Sequence, residues 1–256
     1  MGQLFGKVND EIAIERIKSF EPPEGYYVAF SGGKDSIVVL DLVKRAGVKY
    51  DAHYHVTGID PPELVHFIKR QHPEVERARP DITMFAAIVR EQCPPLRQQR
   101  WCCEQLKEGG GAGRRVITGI RRAESGQRSK RRMNERCQKD GTKKFLHPII
   151  DWQDADVWEY IDRYKIRYCR LYDEGFKRLG CIMCPMKSER ERRKDAARWP
   201  GYYRLYLRAF DRMLKARAEA GKETTWQSAE EVMEWWLSGK SSDNTVDGQV
   251  MMFTDN

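Results

Sequence analysis

Two groups of residues in this chain have types and spacing suited to chemistry. The first is Ser31-Gly32-Gly33-Lys34-Asp35-Ser36, set between the apolar run YYVAF (26–30) and the helical pattern IVVLDLVKRAG (37–47). Glycines let a backbone turn tightly and approach an anion closely. The unpaired N–H groups of a helix start point at that anion, while Ser31, Lys34 and Ser36 add hydrogen bonds and charge. The spacing is not the Walker pattern, which has four residues between its first Gly and its Gly-Lys. The second group is sulfur: Cys102 and Cys103 are adjacent, and Cys181 and Cys184 form Cys-x-x-Cys about eighty residues on. Four thiols in two close pairs can hold Zn²⁺ or an iron–sulfur cluster, and Cys181 with Cys184 can form a redox disulfide. Adjacent cysteines suit one tetrahedral zinc poorly, because neighbouring side chains diverge.

The elements around these residues read as a βαβ arrangement. YYVAF is a strand, residues 37–47 a helix stopped by Gly47, and YDAHYHVTG (50–58) a second strand. Strand, helix and strand in that order make a parallel sheet. EIAIERIKSF (11–20) has the spacing of an amphipathic helix, DPPELVHFIKRQH (60–72) a helix with prolines in its first turn, and RRVITGI (114–120) a third, buried strand. EGGGAG (108–113) precedes a strand, so it reads as a loop and not a phosphate cradle. The fold class expected is α/β, a parallel sheet with helices on both faces and a helical C-terminal region. The boundary is placed between a nucleotide-binding core, 1–165, and a segment 166–256 carrying the Cys-x-x-Cys. From Ser188 to about Trp236 the chain reads as charged, aromatic and helical, and the last twenty residues as loosely held.

The hexapeptide resembles the pyrophosphate loop of the adenine-nucleotide α-hydrolases, and within them the phosphoadenosine-phosphosulfate (PAPS) reductase family. HVTGIDPPELVHFIKR (55–70), GIRRAESGQR (119–128) and HPIIDWQDADVWEYI (147–161) are similar to further segments of that family, so the resemblance covers about residues 25–190. It implies nucleotide binding by Ser31, Gly32, Gly33, Lys34, Asp35, Ser36, Gly119, Arg121 and Arg128, with Lys34, Asp35 and Arg121 as the catalytic candidates. Glu124 and Ser125 are read instead as capping a helix or orienting Arg121. Cys-Cys followed by Lys107, then a distant Cys-x-x-Cys, is similar to the [4Fe–4S] signature of cluster-bearing sulfonucleotide reductases. LYDEGFKRLGCIMCP (171–185) also resembles cluster-bearing DNA phosphorothioation proteins. The resemblance therefore implies Cys102, Cys103, Cys181 and Cys184 as cluster ligands, with Cys103 alternatively a non-ligand or sulfur carrier. Cys93 and Cys169 read as packing residues, and Cys137 as the exposed one of the remaining three.

The family's reductases attack sulfur with a cysteine in a C-terminal tail, and this sequence has no cysteine after Cys184. The first reading is therefore ATP-pyrophosphatase-type sulfur insertion: adenylation of a nucleic-acid acceptor with Mg²⁺ as counterion to pyrophosphate, then displacement of AMP by sulfur. DNA phosphorothioation is the specific version. The alternatives are an APS or PAPS reductase using an external thiol, and a nucleic-acid-binding cluster sensor. Net charge is +8, and residues 121–144 hold ten Lys/Arg against Glu124, Glu135 and Asp140, a net +7. That segment reads either as a solvated loop or as a phosphate-contacting arm, and it favours DNA or RNA as partner. A cysteine desulfurase or other sulfur donor is the second expected partner. No apolar run is long enough to span a bilayer, and Met-Gly at the start lacks the Ser or Thr that myristoylation requires at position 6. The expected location is cytoplasmic.

Overall fold

The computed structural model describes residues 9–239; the expectation of a loosely held end falls, from residue 240 on, outside them. In chain order the described elements are α1 (Asn9–Ser19), β1 (Tyr26–Ala29), α2 (Lys34–Ala46), β2 (Tyr50–His55), α3 (Pro62–Gln71), β3 (Glu76–Ala78), α4 (Met84–Glu91) and α5 (Trp101–Leu106). They continue with β4 (Arg115–Ile117), α6 (Gly126–Ser129), β5 (Asn134–Arg136), β6 (Lys144–Leu146), α7 (Asp154–Arg163), α8 (Glu189–Arg198), α9 (Pro200–Glu219) and α10 (Ala229–Ser238). They divide into two compact units, both discontinuous in sequence. Among the described residues one comprises 9–56, 61–79 and 109–180; the other comprises 57–60, 80–108 and 181–239.

The first unit is the sheet. Its strand order is β3-β2-β1-β4-β6-β5, parallel throughout except for β5, which runs antiparallel to β6. β1 sits centrally, with Tyr27 opposite Asp51 on one side and Val116 on the other. Such a strand is covered on both faces, and Tyr26, Tyr27 and Val28 are accordingly buried. α2 buries Ile37, Val38, Val39, Leu40, Leu42 and Val43, each contributing roughly 1.5–3 kcal/mol of apolar transfer. It stops at Gly47, whose φ of 69° favours a residue without Cβ. The chain leaves β1 outward through β2 and β3, then returns to β4 on the opposite side of β1. That reversal opens a crevice at the strands' C-terminal ends, between the loops that follow β1 and β4.

The basic segment 121–144 belongs to this unit and is ordered. It forms the short helix α6 and, with Lys144–Leu146, the β5–β6 edge hairpin, tied by ion pairs of Arg128 with Glu124, Arg131 with Glu135, and Lys143 with Asp140 at 3.9 Å. Arg122, Lys130, Arg132, Arg136 and Lys139 remain exposed.

The second unit is helical. α4 packs on α9, and α9 packs on α10. Its core holds Trp199, Tyr206, Phe210, Met213, Trp226 and Trp236. The aromatic stripe from residue 199 thus divides: Trp199 and Tyr206 are core, whereas Tyr202 and Tyr203 are half-buried. No helix among the described residues is long and apolar enough to cross a membrane.

Candidate nucleotide and sulfur sites

Within the first unit, the loop after β1 is held open by glycine. Gly32 has φ of 73°, and a Cβ there would stand 2.7 Å from the Ile68 side chain. Gly33 is the N-cap of α2 and supplies no side-chain cap, so the first N–H groups of the helix must find other acceptors. The Lys34 N–H donates to the Tyr172 hydroxyl at 2.8 Å. The Ser31 N–H and hydroxyl both donate to Ser36 Oγ at 3.2 Å, and Ser36 Oγ–H donates to the Gly33 carbonyl at 2.9 Å. The two serines therefore brace the turn from inside.

Charges converge on the same place. Lys34 is only 4% exposed and Arg121 2%. Lys34 Nζ lies 2.9 Å from Asp154 and 3.5 Å from Asp35; Arg121 reaches Asp35 at 2.6 Å and Asp154 at 3.0 Å. Partial burial raises the Asp154 pKa, but Lys34 and Arg121 outweigh it and hold the carboxyl below its usual range. This square of two cations and two carboxylates is neutral within itself. Gly119, after β4, belongs to it sterically: a Cβ there would meet the Asp35 backbone at 2.8 Å. Glu124 accepts the Arg121 backbone N–H at 2.9 Å, and Ser125 caps α6 by accepting from Arg128 N–H at 3.3 Å. These are the capping and orienting roles expected of them.

A cavity of about 230 Å³ opens here, lined by Ser31, Gly33, Ser36, Gly119, Arg128 and Arg178 among others. A larger one of about 650 Å³ is lined by Lys34, Arg121, Asp154, Trp158, Tyr172 and Phe176 among others. Nine positions expected at the nucleotide site thus gather around one helix N-terminus. Three residues of the site were not anticipated. Asp154 reads in sequence as an ordinary acid at a helix start, Tyr172 stands in a single 3₁₀ turn with no periodicity, and Arg178 is one cation among many. For Asp154 the signal was its place in the PAPS-reductase-like segment 147–161.

The sulfur site belongs wholly to the second unit. Cys102 and Cys103 lie on α5, and Cys181 and Cys184 span a turn closed by the Cys184 N–H donating to the Cys181 carbonyl at 3.3 Å. That turn is pinned at three points. The Ile182 N–H donates to the Ile59 carbonyl at 2.8 Å, the Met183 N–H to buried Asp195 at 2.7 Å, and the Lys187 N–H to the Cys184 carbonyl at 2.9 Å. Met183 itself takes φ of 54°, a left-handed conformation that side chains other than glycine rarely adopt. All seven cysteines are free thiols. A sulfur hydrogen bond couples Cys102 with Cys103, and burial and the nearby Cys103, Cys181 and Cys184 all push the Cys102 pKa up. Cys103 is correspondingly lowered, by that bond and then, against burial, by Arg100, whose guanidinium donates to its Sγ at 3.3 Å. Burial pushes Cys181 up to about 12 despite Lys107. Crowding lowers the Lys107 pKa, yet the charges of Cys181 and Asp60 prevail and raise it. Its side chain remains 38% exposed, with Nζ 4.0 Å from Asp60, so the stem is enclosed while the head reaches water.

Among the described residues no three His, Cys, Asp or Glu side chains converge as ligands of a single metal ion. The four sulfurs nonetheless act on one another within one neighbourhood, beside Arg100 and Lys107, a thiol-only donor set whose chemistry suits a thiolate-ligated cluster. Cys93 and Cys169 are buried, Cys93 with its pKa raised by burial to about 12, while Cys137 is half-buried.

Comparison with known proteins places these features. Residues 25–187 match the family described as the phosphoadenosine phosphosulfate reductase domain. An uncharacterised protein of Methanocaldococcus jannaschii is 34% identical over 68% of the chain; the chain spans about two fifths of the length of that relative and of a second from the same organism. The adenosine 5′-phosphosulfate reductase of Oceanobacillus iheyensis is 29% identical over 68% of the chain and 76% of its own length. Adenosine 5′-phosphosulfate reductase 2 of Bacillus subtilis is 26% identical over 78% and 89%. In fold, the chain resembles a PAPS reductase from Candida auris at a TM-score of 0.51 and 18% identity, covering 68% of the chain and 88% of that structure.

Proposed function

Because the chain belongs to the PAPS reductase family, we propose that it binds an adenylyl-sulfate-type sulfonucleotide, APS or PAPS, and releases sulfite from it. The observation that carries this reading is the braced loop at the N-terminus of α2. Its glycines admit an oxyanion, and the cavity beside it presents Ser31, Ser36 and Arg128. Lys34 and Arg121 act there by holding Asp35 and Asp154, and with them the helix start, in one arrangement. A thiolate attacks the sulfate sulfur, the S–O bond to the nucleotide breaks, and AMP or its 3′-phosphate leaves. A second thiol then attacks the thiol-derived sulfur of the S-sulfonate, forming a disulfide with sulfite as the leaving group. The 256 residues contain no cysteine after Cys184, so in this reading the two electrons come from an external pair of thiols.

Cys102, Cys181 and Cys184, with Cys103 as the fourth ligand or as a sulfur carrier, are the residues that would hold a [4Fe–4S] cluster, which would supply electrostatic tuning of the site and, where Cys103 is not a ligand, a place for sulfur. In the protein's own residues, Arg100 and Lys107 balance the sulfur charge and Asp195 fixes the turn.

A second reading is favoured by the missing thiol together with the exposed arginines and lysines of the basic segment 121–144. It is sulfur insertion into DNA or RNA, with ATP adenylating an acceptor oxygen, Mg²⁺ accompanying the pyrophosphate, and a cysteine desulfurase or similar protein supplying sulfur. One experiment separates the two. Anaerobically purified protein receives APS or PAPS with a dithiol, or Mg-ATP with and without DNA and RNA, and sulfite, AMP and pyrophosphate are assayed. Sulfite from the sulfonucleotide with ATP untouched is the expected result. AMP and pyrophosphate from ATP, stimulated by one nucleic acid, would replace the first reading with the second.

A further inference from the structure

The second unit contains a cavity of about 360 Å³ unrelated to the chemistry above. Its walls are the segment 95–98, the turn 185–189 leading into α8, and the C-terminal end of α10. Two donors packed beside it have no acceptor among the described residues. Arg192 is 5% exposed, its Nη1 donates to the Trp236 carbonyl at 2.6 Å, and its Nε is buried with no hydrogen-bond partner. The indole Nε1 of Trp235 is likewise buried and unpartnered.

Carboxylates do not supply the balance. Glu189 on the same wall is engaged by Arg193 at 2.9 Å, and Asp195 by Lys187 at 2.5 Å. Among the described residues neither Arg192 nor Arg97 forms an ion pair; Arg97 donates only to the Met186 carbonyl, at 3.2 Å. Among the described residues, two guanidiniums thus line one cavity with no ion pair of their own. The second worsens the first: burial and then Arg97 lower the Arg192 pKa, and the pull of Glu189 offsets them only in part. The carbonyl at the end of α10 gives Arg192 a dipole partner, but a desolvated cation so placed still lacks a full negative charge. The N-terminus of α8, capped by Ser188, opens on the same space with its positive end. Leu96, Pro185, Trp235 and Trp236 add an apolar surface.

We propose that this cavity binds a small phosphate monoester, its oxyanion against Arg97 and Arg192 and an apolar body against Trp235 and Trp236. The volume suits one ring with one phosphate rather than a polymer. A tetrahedral dianion would neutralise both guanidiniums, for which Arg's planar fork is well shaped. This site shares no residue with the loop of α2, and the proposal stands independently of which reaction that loop serves.

The test uses full-length Lys34→Ala protein, so that binding at the loop contributes little, with phenyl phosphate as probe and phenol as its uncharged counterpart, followed by calorimetry. One molecule of phenyl phosphate should bind per chain, and phenol should not. Arg97→Ala, at an exposed position that folding tolerates, should weaken phenyl phosphate about tenfold or more, the loss of a charge-assisted contact. Trp235→Leu should weaken phenyl phosphate more than it weakens inorganic phosphate. Arg192→Lys serves as the second variant where Arg192→Ala fails to fold, and should also lose affinity. Unchanged affinity in Arg97→Ala, or no binding of phenyl phosphate to the parent, would overturn the proposal.

Discussion

The loop site and the sulfur site solve opposite electrostatic problems. Around the α2 N-terminus, Lys34 and Arg121 meet Asp35 and Asp154, two charges against two, and the square is complete before any ligand arrives. Around the cysteines, Arg100 and Lys107 face one carboxylate, Asp60, and four thiols. Charge balance there depends on ionised sulfur. On the proposed reading the first arrangement positions a backbone for an anion, and the second is completed when the thiols become ligands. A preorganised anion site and a site that acquires its charge from its occupant call for different experiments.

The largest effect should come from the sulfur site. On the proposed cluster reading, anaerobically purified protein should carry about four irons per chain with a broad visible absorption, and Cys181→Ser should lose both. Nucleotide binding at the loop should stay within about twofold, as measured by thermal shift, if the two sites are as independent as their separate charge balances suggest. Next in size is Arg121→Met, which leaves Asp35 and Asp154 with one cation. Urea unfolding should show a loss of about 3 kcal/mol, and Arg121→Lys should recover part of it, because a point charge cannot reach both carboxylates as the guanidinium fork does. A full recovery would mean that charge alone matters in the square.

A comparable effect appears only in acid. His147 is fully buried, hydrogen-bonded to Thr118 at 2.7 Å through Nδ1, with Glu135, Arg131 and Arg128 around it. Burial lowers its pKa from 6.5 to about 4, against the pull of Glu135. A group depressed in this way gives its full stability above about pH 6.5 and loses it as pH falls toward 4. The whole range is worth on the order of 3 kcal/mol. His147→Gln should flatten the pH dependence of unfolding between those values; an unchanged slope would assign it to other groups. The smallest effect is at Tyr172. Tyr172→Phe leaves the Lys34 N–H without its partner, so the free protein should lose about 1 kcal/mol. Nucleotide affinity should rise by roughly the same factor, about fivefold, because the ligand no longer displaces a hydroxyl.

What could be read in advance follows from locality. The loop was legible because its strand, its two glycines and its helix start are contiguous, with the short apolar run of β1 before it and the helical period of α2 after it. β3, β5 and β6 are three residues each, too short for alternation to emerge, so the sheet reads as smaller than its six strands. Gly119 was visible through family resemblance alone; its physical reason, the nearby Asp35 backbone, is a contact 84 positions away in sequence. Tyr172 and Arg178 lie inside the segment 171–185 that resembles cluster-bearing DNA phosphorothioation proteins, a resemblance that pointed to the cysteines and not to them. The packing of residues 57–60 and 80–108 with the C-terminal helices is likewise tertiary information, since no composition shift marks those cuts.

That interleaving also sets an order of events at the ribosome. Cys102 and Cys103 are translated about eighty residues before Cys181, and the Asp195 that pins the later turn comes later still. At usual elongation rates the first pair waits roughly 4–16 s for its complement. During that interval the β-sheet strands from β4 to β6 are made, while the helical unit lacks α8, α9 and α10 altogether. Assembly of a four-thiol site in this chain therefore waits until Cys184 has been made, and the early thiols are exposed to oxidants throughout that interval.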